Sequence, residues 1–380
     1  MNASESISKT PSQTSSGTSS SRLKSLDALR GFDLFWIIGA EEIVHALSKA
    51  YDDPVTGFFV TQLTHKSWAG LAFYDLIFPL FVFIAGVSLV FSLTRSLEQV
   101  GKMATCKKIL WRAFLLYILG LFCYGGISGG LEKLRLLGVL QRIALAYLFA
   151  GLLFVNFRFK GLVIAFVSLL VGYWALMTFV PVPGIGAGNF EEGKNLANYI
   201  DKQYLPFFKW DGDHDPEGLL STLPAIGTCL LGIFAGLWIR RTDVPDQKKV
   251  VRLLLAGVAG VLLGFLWNLQ FPIIKKIWTS SFVLAAGGYA CIFFAIFYQV
   301  IEIWKIQKWA APFVWIGMNP ITLYVGTHII DFSNISAHFV GGPVKASLGR
   351  QGEVLVTLVA MGLLIAVAHF LYRRKIFLRL

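Results

Sequence analysis

The sequence predicts an all-α fold, a polytopic transmembrane bundle of about ten spans with both termini in the cytoplasm. Three observations predict it. Hydrophobic residues make up 56% of the 380 and charged residues only 15%, where soluble domains run near 45–50% and about 25%. The apolar residues gather into runs of roughly 20, the length that crosses a bilayer. Most of the 34 basic residues fall in short tracts on one side of those runs, as cytoplasmic loops require.

Taken in order, the spans are expected at 26–47, 70–94, 108–127, 137–156, 160–180, 217–239, 249–269, 279–303, 310–331 and 353–372. Ahead of them, residues 1–21 are Ser/Thr-rich and contain no apolar stretch of signal-peptide type. They have almost nothing to bury and are expected to be a disordered polar tail. Residues 22–380 then form a single transmembrane domain, with one long extracytoplasmic connection at 181–217. That connection is acidic and structureless by pattern, and its length suits a cover over an outward-facing site.

Several function classes drop out. A net charge of +12 would suggest nucleic acid in a soluble protein, but here topology explains the basic tracts, and no nucleic-acid partner is expected. Cys106, Cys123, Cys229 and Cys291 show no metal-ligand spacing and read as small core residues, so no metal is expected. The phosphate-loop, dinucleotide, zinc-protease and serine-hydrolase patterns are all absent. Alternating acids over 211–217 hint at a calcium loop, but Pro216 and Thr222 stand where glycine and glutamate belong. The stretch reads instead as a helix start.

The first span carries Asp27, Arg30 and Asp33 on one helix face. They form either a packing ion cluster or, with Lys24, a basic vestibule for phosphates at the cytoplasmic end. Further along, Glu41 lies near the same face as Asp33 and is expected to approach His65. His65 stands at the outer edge of the second span with Asp75 ten residues on. It is an interfacial anchor or a titratable catalytic group, and Asp75 is placed to orient its ring or to cap the bundle. Gln141 and Arg142 at the mouth of the fourth span either snorkel or line a polar cavity. Asn319, Tyr324 and His328 interrupt the ninth run beside Pro320, as a core polar cluster or a cavity wall.

Collected in order, these landmarks resemble one family. The run from Arg22 to Gly31, then His65, Trp68 and Gly70 with Asp75, Pro79 and Gly86, then Gly138, Gln141 and Arg142, Asp215 to Gly218, and Gly317, Asn319, Tyr324 and Gly326 is similar to the heparan-alpha-glucosaminide N-acetyltransferases. The resemblance implies a membrane enzyme that takes acetyl groups from cytoplasmic acetyl-CoA and delivers them to the amine of a glucosamine-type sugar on the far side. His65 stands at the family's active-site histidine and Glu41 at a catalytic polar residue that is asparagine in lysosomal members. Thr327 intervenes before His328 where those members place histidine directly after Val-Gly. A luminal segment and an extra span that precede the first helix in lysosomal members are not seen. These departures fit a short bacterial-type member in the inner membrane.

On that reading His65, Glu41 and Asp75 form the catalytic group, with His65 as general base or acetyl carrier. Lys24, Arg30, Arg112, Gln141 and Arg142 are the candidates for acetyl-CoA, and Asp215, Glu217, Asn319 and His328 for the acceptor. The partners are acetyl-CoA, an amino sugar and the lipid bilayer, and a homodimer is left open. Two rival readings remain: a proton-coupled solute transporter using the intramembrane polar residues, and an O-acetyltransferase acting on an envelope polysaccharide.

Overall fold

The computed structural model describes residues 23–377 except Asp52; the expected tail at 1–21 lies outside them. The described residues form helices and two isolated β-bridges, with no strand among them. In chain order the helices are α1 (Lys24–Phe35), α2 (Glu41–Ala50), α3 (Pro54–Leu63), α4 (Ile77–Cys123), α5 (Val139–Asn156), α6 (Phe159–Phe179), α7 (Leu196–Tyr204), α8 (Thr222–Ile239), α9 (Asp246–Trp267), α10 (Ser280–Tyr298), α11 (Ala311–Met318), α12 (Pro320–Ile329), α13 (Phe332–Val340), α14 (Pro343–Ser347) and α15 (Gly352–Arg373).

Among the described residues seven helices are long and apolar enough to cross a membrane, where about ten separate spans are expected. The difference has physical causes. The expected first span is cut by a π-helical turn, Trp36–Ala40, in which Gly39 takes φ +138°, so α1 and α2 are each too short to cross. The expected ninth span is cut at Asn319, where Pro320 opens α12 and removes a backbone donor. The second and third spans merge into α4, which turns back on itself at Gly101, φ +77°. Ser96 Oγ and Thr105 Oγ1 lie 3.0 Å apart, whereas a straight helix would separate them by about 13 Å. α4 is therefore a helical hairpin.

Small residues let the helix backbones touch. A Cβ on Gly86 of α4 would meet the Cys229 carbonyl of α8 at 2.0 Å, and one on Gly232 would meet the Phe83 carbonyl at 2.0 Å. Gly31 and Gly317 join α1 to α11 in the same way: a Cβ on Gly31 would run into the Phe313 carbonyl and one on Gly317 into the Asp27 carbonyl. Such contacts are the usual route to association between apolar helices, which gain little from the hydrophobic effect inside lipid. They fix the two walls between which the polar residues of α1 and α4 face each other.

The connection expected to be structureless at 181–217 is folded. It contains α7, a bridge between Val182 and Gly186, and the buried polar residues Asn195, Asn198, Asp201, His214 and Asp215. Its acids are taken up internally: the Asp201 carboxylate accepts the backbone N–H of Leu219 at 2.8 Å and of Asp215 at 3.3 Å.

Candidate active site

His65 sits on the segment between α3 and the short 3-10 turn Phe73–Leu76 that leads into α4. Gly70, at φ +120°, lets this segment lie against the connection between α9 and α10. The Gly70 N–H donates to the Ile273 carbonyl at 2.9 Å, and Ala69 bridges Ile274. That loop-to-loop pairing delivers Lys275 to His65.

Asp75 organises the group. Its Oδ1 lies 2.9 Å from His65 Nδ1, and its Oδ2 accepts the backbone N–H of Ala72 at 3.0 Å and of Lys66 at 3.3 Å. Only 1% of the Asp75 side chain is exposed, against 49% for His65. A buried carboxylate needs such donors to remain charged. With Nδ1–H donated to Asp75, the lone pair of His65 falls on Nε2, and the exposed imidazole is open to a substrate. Lys275 Nζ stands 3.0 Å from Nδ1, 3.1 Å from Nε2 and 3.6 Å from Asp75 Oδ1. Burial lowers the Lys275 pKa, against the pull of Asp75, Glu217 and Glu41.

Tyr74 stacks on the imidazole with ring centroids 4.6 Å apart and planes tilted by 30°. Glu41 lies beside the Tyr74 hydroxyl, so it reaches His65 through Tyr74 rather than directly. The π-helical turn at Gly39 sets the direction of α2 after α1 and places Glu41 beside Tyr74 in the neighbourhood of His65.

A cavity of about 560 Å³ opens between α1, both arms of α4, α5 and the break between α11 and α12, and Arg30, Arg95 and Arg112 line it. Arg30 is braced by Asp27 at 3.1 Å, the Gly317 carbonyl at 3.2 Å and Ser88 Oγ at 2.6 Å. Arg112 lies over the Tyr147 ring at 5.0 Å, and its Nε has no hydrogen-bond partner. Arg95 lies twenty residues beyond Asp75, about 30 Å along a helix and close to the hydrocarbon thickness of a bilayer. A narrow apolar neck continues from the cavity: Phe81, Leu140, Ile143, Pro320 and Ile321 line both, and Phe78 and Tyr324 line its far side. Phe78 is one helical turn from Asp75.

The other expected site residues divide. Lys24 donates to Gln307 at 2.9 Å and does not line the cavity. Gln141 and Arg142 are fully buried away from it; Arg142 donates to Ser221 Oγ at 2.5 Å and lies over Trp278 at 5.0 Å. Asp215 gives both oxygens to Arg135, at 2.9 and 2.7 Å, and Glu217 joins at 2.5 Å. Burial works against the Arg135 charge, and Asp215 and Glu217 overcome it and raise its pKa. Asp215 thus braces the fold, with no exposed oxygen for an acceptor. Asn319 is buried with neither amide atom hydrogen-bonded, and His328 is on an exposed recess beside Glu42, its Nδ1 2.9 Å from the Tyr324 carbonyl.

A family model described as "Heparan-alpha-glucosaminide N-acetyltransferase, catalytic" matches residues 22–262. The chain belongs to this acetyltransferase family. Heparan-alpha-glucosaminide N-acetyltransferase from Homo sapiens is 27% identical over 419 residues, covering 94% of this chain and 59% of that protein. The protein of the same name from Mus musculus is 27% identical over 424 residues, covering 95% and 61%. The chain spans about three fifths of the length of these curated relatives. The acetyltransferase-family match holds His65, Asp75, the three cavity arginines and the Asp215–Glu217 turn, while Lys275 lies beyond it.

Lys275, Tyr74 and Arg95 are the residues that sequence reasoning missed at these sites. Lys275 carried no local signal beyond its place in a short connection between spans. Arg95 has the pattern of any basic residue in a short connection between spans, and Tyr74 lies inside the apolar run into the second span.

Proposed function

We propose that the chain is an integral membrane acetyltransferase that moves the acetyl group of acetyl-CoA, bound from the cytoplasmic side, to the amine of a glucosamine-type sugar on the opposite side. The observation that carries the reading is the pairing of the His65–Asp75–Lys275 group, with its half-exposed imidazole, with a cavity lined by Arg30, Arg95 and Arg112. That cavity extends from near Phe81 to Arg95, about one bilayer thickness along the helix from Asp75, with an apolar neck on the His65 side. The expected orientation, with both termini cytoplasmic, puts the arginines on the donor side.

In this reading Arg95 and Arg112 meet the CoA phosphates, with Arg30 held as the fixed wall, and the pantetheine arm follows the neck toward Phe78. An amino sugar is protonated at neutral pH, so transfer needs a base. The ammonium first releases one proton to solvent, and His65 Nε2 takes a second as the neutral amine nitrogen attacks the thioester carbonyl. The C–S bond then breaks, and the departing thiolate recovers the proton from the imidazolium. Lys275 brings positive charge to the place where the carbonyl oxygen becomes an oxyanion. The same nitrogen also serves a two-step route, in which Nε2 takes the acetyl group, the CoA thiolate leaves and the amine then attacks the acetyl-imidazole.

Purified protein in detergent, given acetyl-CoA with glucosamine, with an N-blocked sugar bearing free hydroxyls, or with no acceptor, tests the reading. Turnover with glucosamine alone, abolished by His65→Ala while CoA still binds, supports it. Turnover with the N-blocked sugar replaces it by O-acetylation, and no consumption of acetyl-CoA under any condition overturns it in favour of transport.

A further inference from the structure

Away from His65, the folded connection at 181–217 gathers Glu192, Asp211 and His214 with one ligand atom each inside 4.8 Å. The His214 side chain is 5% exposed, and its Nε2 makes no hydrogen bond. It faces Glu192 Oε1 at 3.5 Å and Asp211 Oδ2 at 3.7 Å. Those separations are long for hydrogen bonds. They are close to the edges of a coordination tetrahedron, which for bonds of about 2.0–2.2 Å measure about 3.3–3.6 Å.

Charge points the same way. Elsewhere in this connection each exposed acid has its own lysine: Glu191 pairs with Lys194 at 2.7 Å and Asp213 with Lys202 at 2.7 Å. Glu192 and Asp211 share a single ammonium, Lys276 Nζ, at 3.0 and 2.9 Å from the same two oxygens that His214 faces. Two carboxylates thus share one ammonium around a buried imidazole nitrogen that makes no hydrogen bond. The Lys276 side chain is 27% exposed and has a path to solvent. The cradle itself is braced, since the Asp211 N–H donates to the His214 carbonyl at 3.1 Å and the Trp68 indole meets the imidazole edge-on at 6.2 Å.

We propose that Glu192, Asp211 and His214 form a binding site for a divalent transition-metal ion, with Zn²⁺ the best match to one imidazole and two carboxylates, and that the metal takes the place of the Lys276 ammonium. Water completes the tetrahedron. Binding would staple the two ends of the connection to each other and release Lys276, the neighbour of Lys275.

The test uses full-length protein in detergent, stripped with a chelator and titrated with Zn²⁺ against a chromophoric competitor, with metal content measured after gel filtration. One Zn²⁺ per chain is expected, with X-ray absorption showing a nitrogen and oxygen shell that includes imidazole and no sulfur. His214→Asn and Glu192→Gln should each weaken binding at least about tenfold, since even an outer-shell partner is worth about 10–100-fold, and Lys276→Gln should strengthen it about tenfold. Glu192 is exposed, so its variant keeps the fold if His214→Asn does not. Absence of retained metal in both the wild type and Lys276→Gln, or unchanged affinity in Glu192→Gln, overturns the proposal.

Discussion

Asp75 holds His65 Nδ1 at 2.9 Å with one oxygen while the other oxygen accepts two backbone N–H groups of its own loop. The carboxylate is therefore held by donors other than the imidazole, and the ring orientation follows from it. Asp75→Asn keeps the shape but offers the imidazole an amide in place of a charge, so the wrong ring tautomer becomes available. Acetyl transfer should fall by about 10²–10⁴ in kcat with little change in KM for acetyl-CoA, the split that a positioning group for a base produces. Steady-state kinetics with both substrates check this, and a change confined to KM would assign Asp75 to binding instead.

The cavity arginines differ in freedom. Arg30 is tied to Asp27, Ser88 and the Gly317 carbonyl, whereas Arg95 is exposed and Arg112 keeps an unpartnered Nε. Arg95→Gln and Arg112→Gln should each raise the KM for acetyl-CoA about tenfold, the scale of one charge-assisted contact. A 3′-dephospho donor should shrink the penalty for whichever arginine meets that phosphate. Equal kinetics for wild type and both variants would move the donor site elsewhere.

Arg135 is the only cation hydrogen-bonded to the Asp215 carboxylate among the described residues, and it also holds Glu217. Arg135→Met removes the cation hydrogen-bonded to both buried acids and should cost about 3–5 kcal/mol, lowering the melting temperature in detergent. Adding Asp215→Asn to that variant should recover part of the loss. No recovery would mean that the cation–π contacts of Arg135 with Tyr124 and Trp210 carry the stability.

Asp201 titrates within reach of ordinary buffers. Burial pushes its carboxyl up to about 6, against the backbone donors of Leu219 and Asp215. A raised pKa means that the folded state holds a proton which the unfolded chain has released. Its stabilising contribution is full below about 4 and is lost as pH rises through about 6, with an upper bound of about 3 kcal/mol. Asp201→Asn removes this dependence. The melting temperature of the variant relative to wild type should therefore climb as pH goes from 4 to 7.5, and a constant difference would count against the assignment.

How much was legible follows from the range of each interaction. The apolar runs and the His65–Asp75 pair were readable, because hydropathy is local and a carboxylate ten residues from a histidine can return to it through one short turn. Lys275 was not, since it arrives by a bridge between Ala69 and Ile274, two loops with no patterned signal. The Arg135 partner of Asp215 is not legible, because an acid near a helix start has the same pattern whether it faces a sugar or a buried arginine. The reversal at Gly101 and the cut at Gly39 decide which polar faces meet, and a single glycine in an apolar run announces neither.

The backbone contacts at Gly31–Gly317 and Gly86–Gly232 carry a mechanical consequence. Packed helices shear by sliding across an interdigitated layer of side chains, and at these crossings that layer is missing. The frame around the neck is thus a stiff one, and widening of the passage falls to rotations of Phe78, Phe81 and Tyr324 and to the backbone freed at Pro320. Chemistry would cross the bilayer through a fixed frame with a soft lining, with no need for the whole molecule to rock.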